Sequence, residues 1–273
     1  MAKLWNSTRK QFIPSGYTEI FSTVLANNEK AIVKEIFLCN VCKYGDVGEY
    51  KASTYFVPED AKAERCFNGD TSPNNDWKNN GDMPCWIQMS YKRYDELTQT
   101  RDLVVTKYRI YIDSTNVNRA PKSWHFQGST NGFSWEDIEV RSNVSWTANT
   151  WQEFQPSTIN VYKHYRLLIT ESHDSNNNVA INEIQFFNSA GDNVLEPVSV
   201  KFRLVTAQYT SPQQGQGLSP FVELTPRESF QLSTTVVVGL NQQIFVEIPD
   251  VASGGIGYPF LRSYVSYLKL TTT

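Results

Sequence analysis

Along the whole chain, apolar residues come in short runs of β-branched and aromatic side chains that stop at Asn, Gly, Pro or Ser. Runs of that length and composition suit strands, and their turn-rich boundaries specify an all-β protein. Candidate strands lie at 20–25, 32–41, 86–91, 104–112, 123–129, 164–171 and 181–188, then at 198–208, 221–224, 234–238, 243–248 and 263–270. Helix is confined to short turns at 60–65, just after Pro58, and at 92–97. In a chain of 273 residues, that many strands suit two β-sandwiches better than one.

Alternation says which way the strands face. In 104–112, Val104, Thr106, Tyr108, Ile110 and Ile112 share one face, and Val105, Lys107, Arg109 and Tyr111 the other, so one side is core. Gly239-Leu240-Asn241 reads as a hairpin turn between 236–238 and 244–248. Segment 210–219, rich in Gln, Gly and Pro, reads as an exposed loop, while 68–82 and 174–178 read as loops crowded with oxygen ligands.

Charge and cysteine usage exclude several functions. The formal net charge is −3, from 25 basic and 28 acidic residues, which gives no general support for nucleic-acid binding. No apolar run reaches the length of a membrane span, and residues 1–10 lack the apolar core of a signal peptide, so synthesis in the cytosol is expected. Cys39 and Cys42 form a C-x-x-C on a strand rather than at a strand-to-helix junction, which argues against redox chemistry. Four cysteines are too few for a disulfide scaffold. Buried thiols, or a Cys66–Cys85 bridge formed after release, are the alternatives, and Cys66 and Cys85 are too far apart in sequence for the second half of a zinc site.

Catalytic signatures are lacking. His125, His164 and His173 make no metal-ligand pattern, and Gly128–Gly132 reads as a turn rather than a phosphate loop. No nucleophile elbow occurs. Glu136 with Glu139, or Asp76 with Asp82, supplies carboxylate pairs in the ordinary setting of solvated acids, so a non-enzyme is expected. Sugar recognition needs aromatic faces beside hydrogen-bonding side chains, and Trp77, Trp135, Trp151, His173, Asn176, Asn177 and Asn178 supply that chemistry from loops or loop edges. Trp77 has a second reading as a core plug, and Trp86, Trp124 and Phe126 alternate into strands as core.

The order Cys66-Phe-Asn-Gly-Asp70, Trp77, Trp86-Ile-Gln88, Tyr108–Tyr111, Pro121–Phe126, Gly128–Trp135, Tyr165–Ile169 and Ile181–Phe186 resembles a discoidin-like domain. This is the coagulation factor 5/8 type C domain of the galactose-binding-like superfamily. The resemblance covers residues 46–190 and implies a jelly-roll sandwich whose loops at one end bind sugars, lipids or protein surfaces, without catalysis. It also implies a structural calcium held by Asn68, Asp70 and Glu183, with Ser72 or Asp76 and backbone carbonyls completing the set; hard oxygen ligands suit that ion. The alternative is an Asx-rich loop hydrogen-bonded without metal.

Residues 23–40, together with 224–232 and 236–246, resemble small β-sandwich modules of bacteriophage head, neck or tail proteins. That places residues 1–45 and 191–273 in one virion-docking sandwich with 46–190 inserted in a loop; three sequential segments are the alternative. The implied protein is a homo-oligomeric virion component, contacting other virion proteins and binding a bacterial surface glycan. A purely structural adaptor and a cellular carbohydrate-binding module are the competing functions. The strand at 262–270 either pairs with a neighbouring subunit or closes its own sheet.

Overall fold

The computed structural model describes residues 17–41, 43–56, 62–92, 104–197, 199–208, 211–233, 235–248 and 261–271. The first twelve strands are β1 (Tyr17–Phe21), β2 (Glu29–Asn40), β3 (Gly48–Ala52), β4 (Trp77–Lys78), β5 (Cys85–Tyr91), β6 (Lys107–Ile112), β7 (Pro121–Ser129), β8 (Glu136–Arg141), β9 (Thr150–Phe154), β10 (His164–Ser172), β11 (Ala180–Ile181) and β12 (Glu183–Phe187). Seven more follow: β13 (Val200–Gln208), β14 (Ser211–Gly217), β15 (Val222–Leu224), β16 (Ser229–Leu232), β17 (Val236–Val238), β18 (Gln242–Glu247) and β19 (Leu261–Thr271). Among the described residues, helix is limited to 3-10 turns at Ala63–Phe67 and Val117–Arg119.

The chain divides into two compact units, Met1–Lys43 with Val198–Thr273, and Tyr44–Pro197. The second is wider than 46–190 because its ends are tied together: Gly45 N–H donates to the Leu195 carbonyl at 2.9 Å, and Asn193 Nδ2 donates to the Tyr44 hydroxyl at 2.7 Å.

In the first unit, β1, β18, β13 and β14 form one sheet with β15 on β13, while β16 and β17 flank β2 in another, with β19 antiparallel to β2. Edge-on aromatic pairs join elements of the two, Phe21 with Tyr267 at 4.9 Å and Phe202 with Phe230 at 5.4 Å. Two expectations fail here. The expected loop 210–219 is largely β14, because backbone pairing with β13 makes a strand of a segment with no apolar alternation. The turn at Gly239–Asn241 does not join a hairpin: β17 pairs with β2 and β18 with β1 and β13, so it carries the chain from one sheet to the other. Of the expected helical turns, residues 60–61 of the first and 93–97 of the second lie outside the described residues.

In Tyr44–Pro197 a five-stranded sheet, β3-β5-β10-β7-β8, faces a three-stranded sheet, β12-β6-β9. Alternation builds the core between them. Tyr165, Leu167 and Ile169 of β10, Trp124 and Phe126 of β7, and Tyr108, Ile110 and Ile112 of β6 are all buried, while His164, Arg166, Lys107 and Arg109 turn outward. Phe126 meets Tyr108 at 4.3 Å and Phe186 at 5.8 Å, bridging the sheets. Such ring pairs contribute about 0.5–1.5 kcal/mol each beyond the area they bury.

Candidate functional site at the loop end of the second unit

Backbone pairing of β4 with β11 aligns Lys78 with Ala180 and Trp77 with Ile181, which draws the loop after Lys78 against the loop before Ala180. Fully buried Asn79 staples the two. Its Oδ1 accepts the Val179 N–H at 2.6 Å, and its Nδ2 donates to the carbonyls of Asp82 at 3.1 Å and Asn177 at 3.2 Å. Asp174 Oδ2 then accepts Asn178 Nδ2 at 2.5 Å; that bond, aided by the Arg119 charge, holds the Asp174 carboxyl below its ordinary value. Asn177 adopts a φ of +61°, a left-handed conformation that Asn tolerates.

Beside this staple lies a hollow of about 50 Å³ lined by Phe56, Lys78, Asn79, Arg119, Asn178 and Val179. Phe56 is 61% exposed, and its N–H donates to the Lys78 carbonyl at 2.8 Å. Buried Asp76 organises the cations: its Oδ2 lies 3.1 Å from Lys78 Nζ and accepts Asn116 Nδ2 at 2.6 Å, and Asn116 opens the turn that delivers Arg119. One exposed ring, two cations and a carboxamide thus surround a shallow recess, a donor-rich arrangement suited to a polyhydroxylated ligand with an apolar face.

The sequence-derived ligand residues divide. Asn176, Asn177 and Asn178 sit in this cluster, and exposed His173 follows β10 with its N–H bonded to the Ala120 carbonyl at 3.1 Å and its Nε2–H donating to the Val144 carbonyl at 2.7 Å. Trp77 is the core plug and not a ligand platform, being fully buried with its indole N–H on the Thr54 carbonyl at 3.0 Å. Trp151 is at a loop edge, the second residue of its strand. It stands on β9, on the outward face of the three-stranded sheet, with the Arg109 guanidinium 4.3 Å over its ring and Tyr111 at 5.4 Å. Phe56, Lys78 and Arg119 were missed; they come from three separate segments, and no local motif joins them.

Of the implied calcium ligands, Glu183 lies against the loop that carries Asn68 and Asp70. Gly69, at a φ of +77° that suits glycine, donates its N–H to Glu183 Oε1 at 3.1 Å, bringing the exposed Asn68–Asp70 loop over a fully buried carboxylate. Asn68 Oδ1 accepts the Asp70 N–H at 2.9 Å and Asn75 Nδ2 at 3.0 Å; the Asp70 carboxyl is held below its ordinary value by hydrogen bonds from Ser72. Glu183 Oε2 is buried with no hydrogen-bond partner, and burial pushes this carboxyl up to about 9. An orphaned buried carboxylate oxygen beneath an amide- and carbonyl-rich loop fits a hard cation. Asp76 does not fit as a further ligand, since it is committed to Lys78 and Asn116. No group of three His, Cys, Asp or Glu side chains converges among the described residues, so such a set rests on Asp70, Glu183, Asn68 and backbone carbonyls.

The other singled-out groups serve the sandwich. Glu139 accepts from the Tyr108 hydroxyl and pairs with Arg141, and Glu136 accepts the Tyr162 hydroxyl at 2.8 Å. Cys39, Cys66 and Cys85 are free thiols, so no bridge joins Cys66 to Cys85; Cys66 instead donates to the Ile181 carbonyl at 2.9 Å.

No family model and no curated protein matches the sequence. Several solved structures are similar in fold. One is a CBM32 module from Clostridium perfringens in complex with GalNAc-β-1,3-galactose, at 14% identity over 54% of this chain and 99% of that one, TM-score 0.42. Another is the family 32 module of C. perfringens NanJ in complex with galactose, at 11% identity over 55% and 98%, TM-score 0.40. A third is an F5/8 type C domain from Bacteroides fragilis, at 16% identity over 51% and 89%, TM-score 0.41.

Proposed function

We propose that Tyr44–Pro197 is a non-catalytic glycan-recognition unit that grips a sugar at the hollow of Phe56, Lys78, Arg119 and Asn178. The observation that carries this reading is the exposed Phe56 ring, tied by its backbone N–H to the Lys78 carbonyl, beside two cations set by buried Asp76 and its hydrogen bond from Asn116. The ring stacks on sugar C–H groups while Lys78, Arg119 and the Asn178 amide satisfy hydroxyls. A calcium ion at Asn68, Asp70 and Glu183 braces the loop that leads into β4. Met1–Lys43 with Val198–Thr273 is the anchoring part, which in the virion setting docks to the other proteins of a phage particle and repeats the weak site in many copies.

A glycan array probed with the full chain tests the ligand. Binding that is lost in Phe56→Ala and Arg119→Ala, with unchanged melting temperature, supports the reading. Array binding that both variants retain removes this hollow as the site. Adsorption of particles carrying these variants tests the setting: normal assembly with poor adsorption fits attachment, and failed assembly with intact array binding fits a structural adaptor.

A further inference from the structure

At the other end of β10 the outward face of the five-stranded sheet carries a groove of about 400 Å³. It is separate from the hollow described above: His164 opens β10 and Ser172 ends it, which at the rise of an extended strand puts roughly 26 Å between them. Its floor is polar and hydrogen-bonded, with Gln88 Nε2 donating to Ser90 Oγ at 2.8 Å and His164 Nδ1 hydrogen-bonded to the same oxygen at 2.7 Å.

Its rim is built from charge and one displayed ring. Lys51 comes from β3, Lys92 from just past β5 and Lys163 from just before β10, and none of the three forms an ion pair among the described residues. Among the described residues Glu49 is the one acid of the lining, against three lysines, in a chain of net charge −3. The field registers at His164, whose imidazole is shifted down first by burial and then by Lys163 and Lys51. Opposite, the turn after Ser129 is fixed by its own side chains: Ser129 Oγ accepts the Gly132 N–H at 2.9 Å, and Asn131 Oδ1 accepts the N–H groups of Phe133 at 2.8 Å and Ser134 at 2.9 Å. That clamp presents Phe133 at 91% exposure on the lip.

We propose that this groove is a second ligand site, for an acidic saccharide whose carboxylate or sulfate meets Lys51, Lys92 and Lys163 while its ring lies on Phe133. A bare phosphate makes no use of the Phe133 face, and a neutral sugar makes no use of the three lysines on the rim. The volume lies in the range of small-ligand sites, and the Gln88, Ser90 and Asn131 side chains supply hydroxyl partners.

Titration calorimetry of the full chain with trigalacturonate, sialyllactose and a heparin tetrasaccharide, each against neutral galactotriose, tests this. At least one acidic sugar should bind at low salt and weaken on raising it. The double variant Lys51→Ala/Lys163→Ala should lose about tenfold or more in affinity for that sugar and Phe133→Ala several-fold, since exposed charge and stacking contacts each contribute on that scale. Phe56→Ala/Arg119→Ala should leave it unchanged, which separates this site from the loop hollow. Failure of all three acidic probes to bind, equal binding of galactotriose, or insensitivity to the lysine pair would overturn the proposal.

Discussion

Asp76 and Asn116, forty positions apart, share a 2.6 Å hydrogen bond inside the second unit, and through it the two cations of the loop hollow are set together. Asp76 is 2% exposed and also pairs with Lys78, so removing its amide donor leaves a buried carboxylate oxygen under-satisfied. Asn116→Ala is expected to cost about 1–3 kcal/mol in urea denaturation. Glycan affinity should fall beyond what stability explains, because Arg119 loses its anchor. A variant that unfolds at the wild-type urea concentration and binds normally would show that the pair does not position the site.

Gly128 limits what β7 tolerates. A Cβ there would lie 2.3 Å from the Tyr162 ring, and Tyr162 is itself wedged edge-on against Tyr165 at 5.8 Å. Gly128→Ala must push that ring outward or bend β7. Overpacking of this kind costs about 1–3 kcal/mol. The expected result is a lower melting temperature, restored in large part by pairing the change with Tyr162→Ala; additive losses in the double variant would count against the clash.

How much of this was legible before folding depends on the reach of each signal. The β10 alternation of Tyr165, Leu167 and Ile169 with His164, Arg166 and Leu168 carries its own face assignment, and Trp124 and Phe126 read as core for the same reason. Ser211–Gly217 has no such alternation; it is a strand because β13 supplies partners for its backbone. After Asn241 the local turn chemistry is as expected, yet nothing local decides that β18 joins a different sheet from β17. The site shows the same divide. Asn176 to Asn178 advertise a polar loop by composition, whereas Trp77 looks like a loop aromatic until β4 pairs with β11, a hundred residues on, and buries it. Phe56, Lys78 and Arg119 meet only through such long-range pairings.

Thiol accessibility offers a direct check of the core. Cys66 and Cys85 are fully buried, and burial pushes the Cys85 thiol up to about 12 and Cys66 well above its ordinary value. The thiolate is the reactive species, so neither should react with iodoacetamide in the native protein at mildly alkaline pH. Peptide mapping should find both carboxymethylated only after denaturation. Native labelling of Cys66, or a Cys66–Cys85 disulfide in freshly purified protein, would contradict the packing around Ile181.

Glu183 gives the pH dependence its sign. Its carboxyl is raised from 4.5 to about 9, chiefly by burial, so across that window the folded state retains a proton that the unfolded state has released. Stability contributed by this group therefore falls as pH rises from 4.5 towards 9, at a limiting slope of about 1.4 kcal/mol per unit. A cation at Asn68, Asp70 and Glu183 takes the proton's place, so its stabilising effect should grow over the same range. Thermal melts in EDTA should thus decline with pH, and millimolar calcium should flatten the decline. Glu183→Gln, isosteric and uncharged, should melt above wild type in EDTA at the alkaline end and show no calcium response. If calcium leaves the wild-type melt unmoved at the alkaline end, or raises the Gln variant equally, the loop over Glu183 holds no such ion.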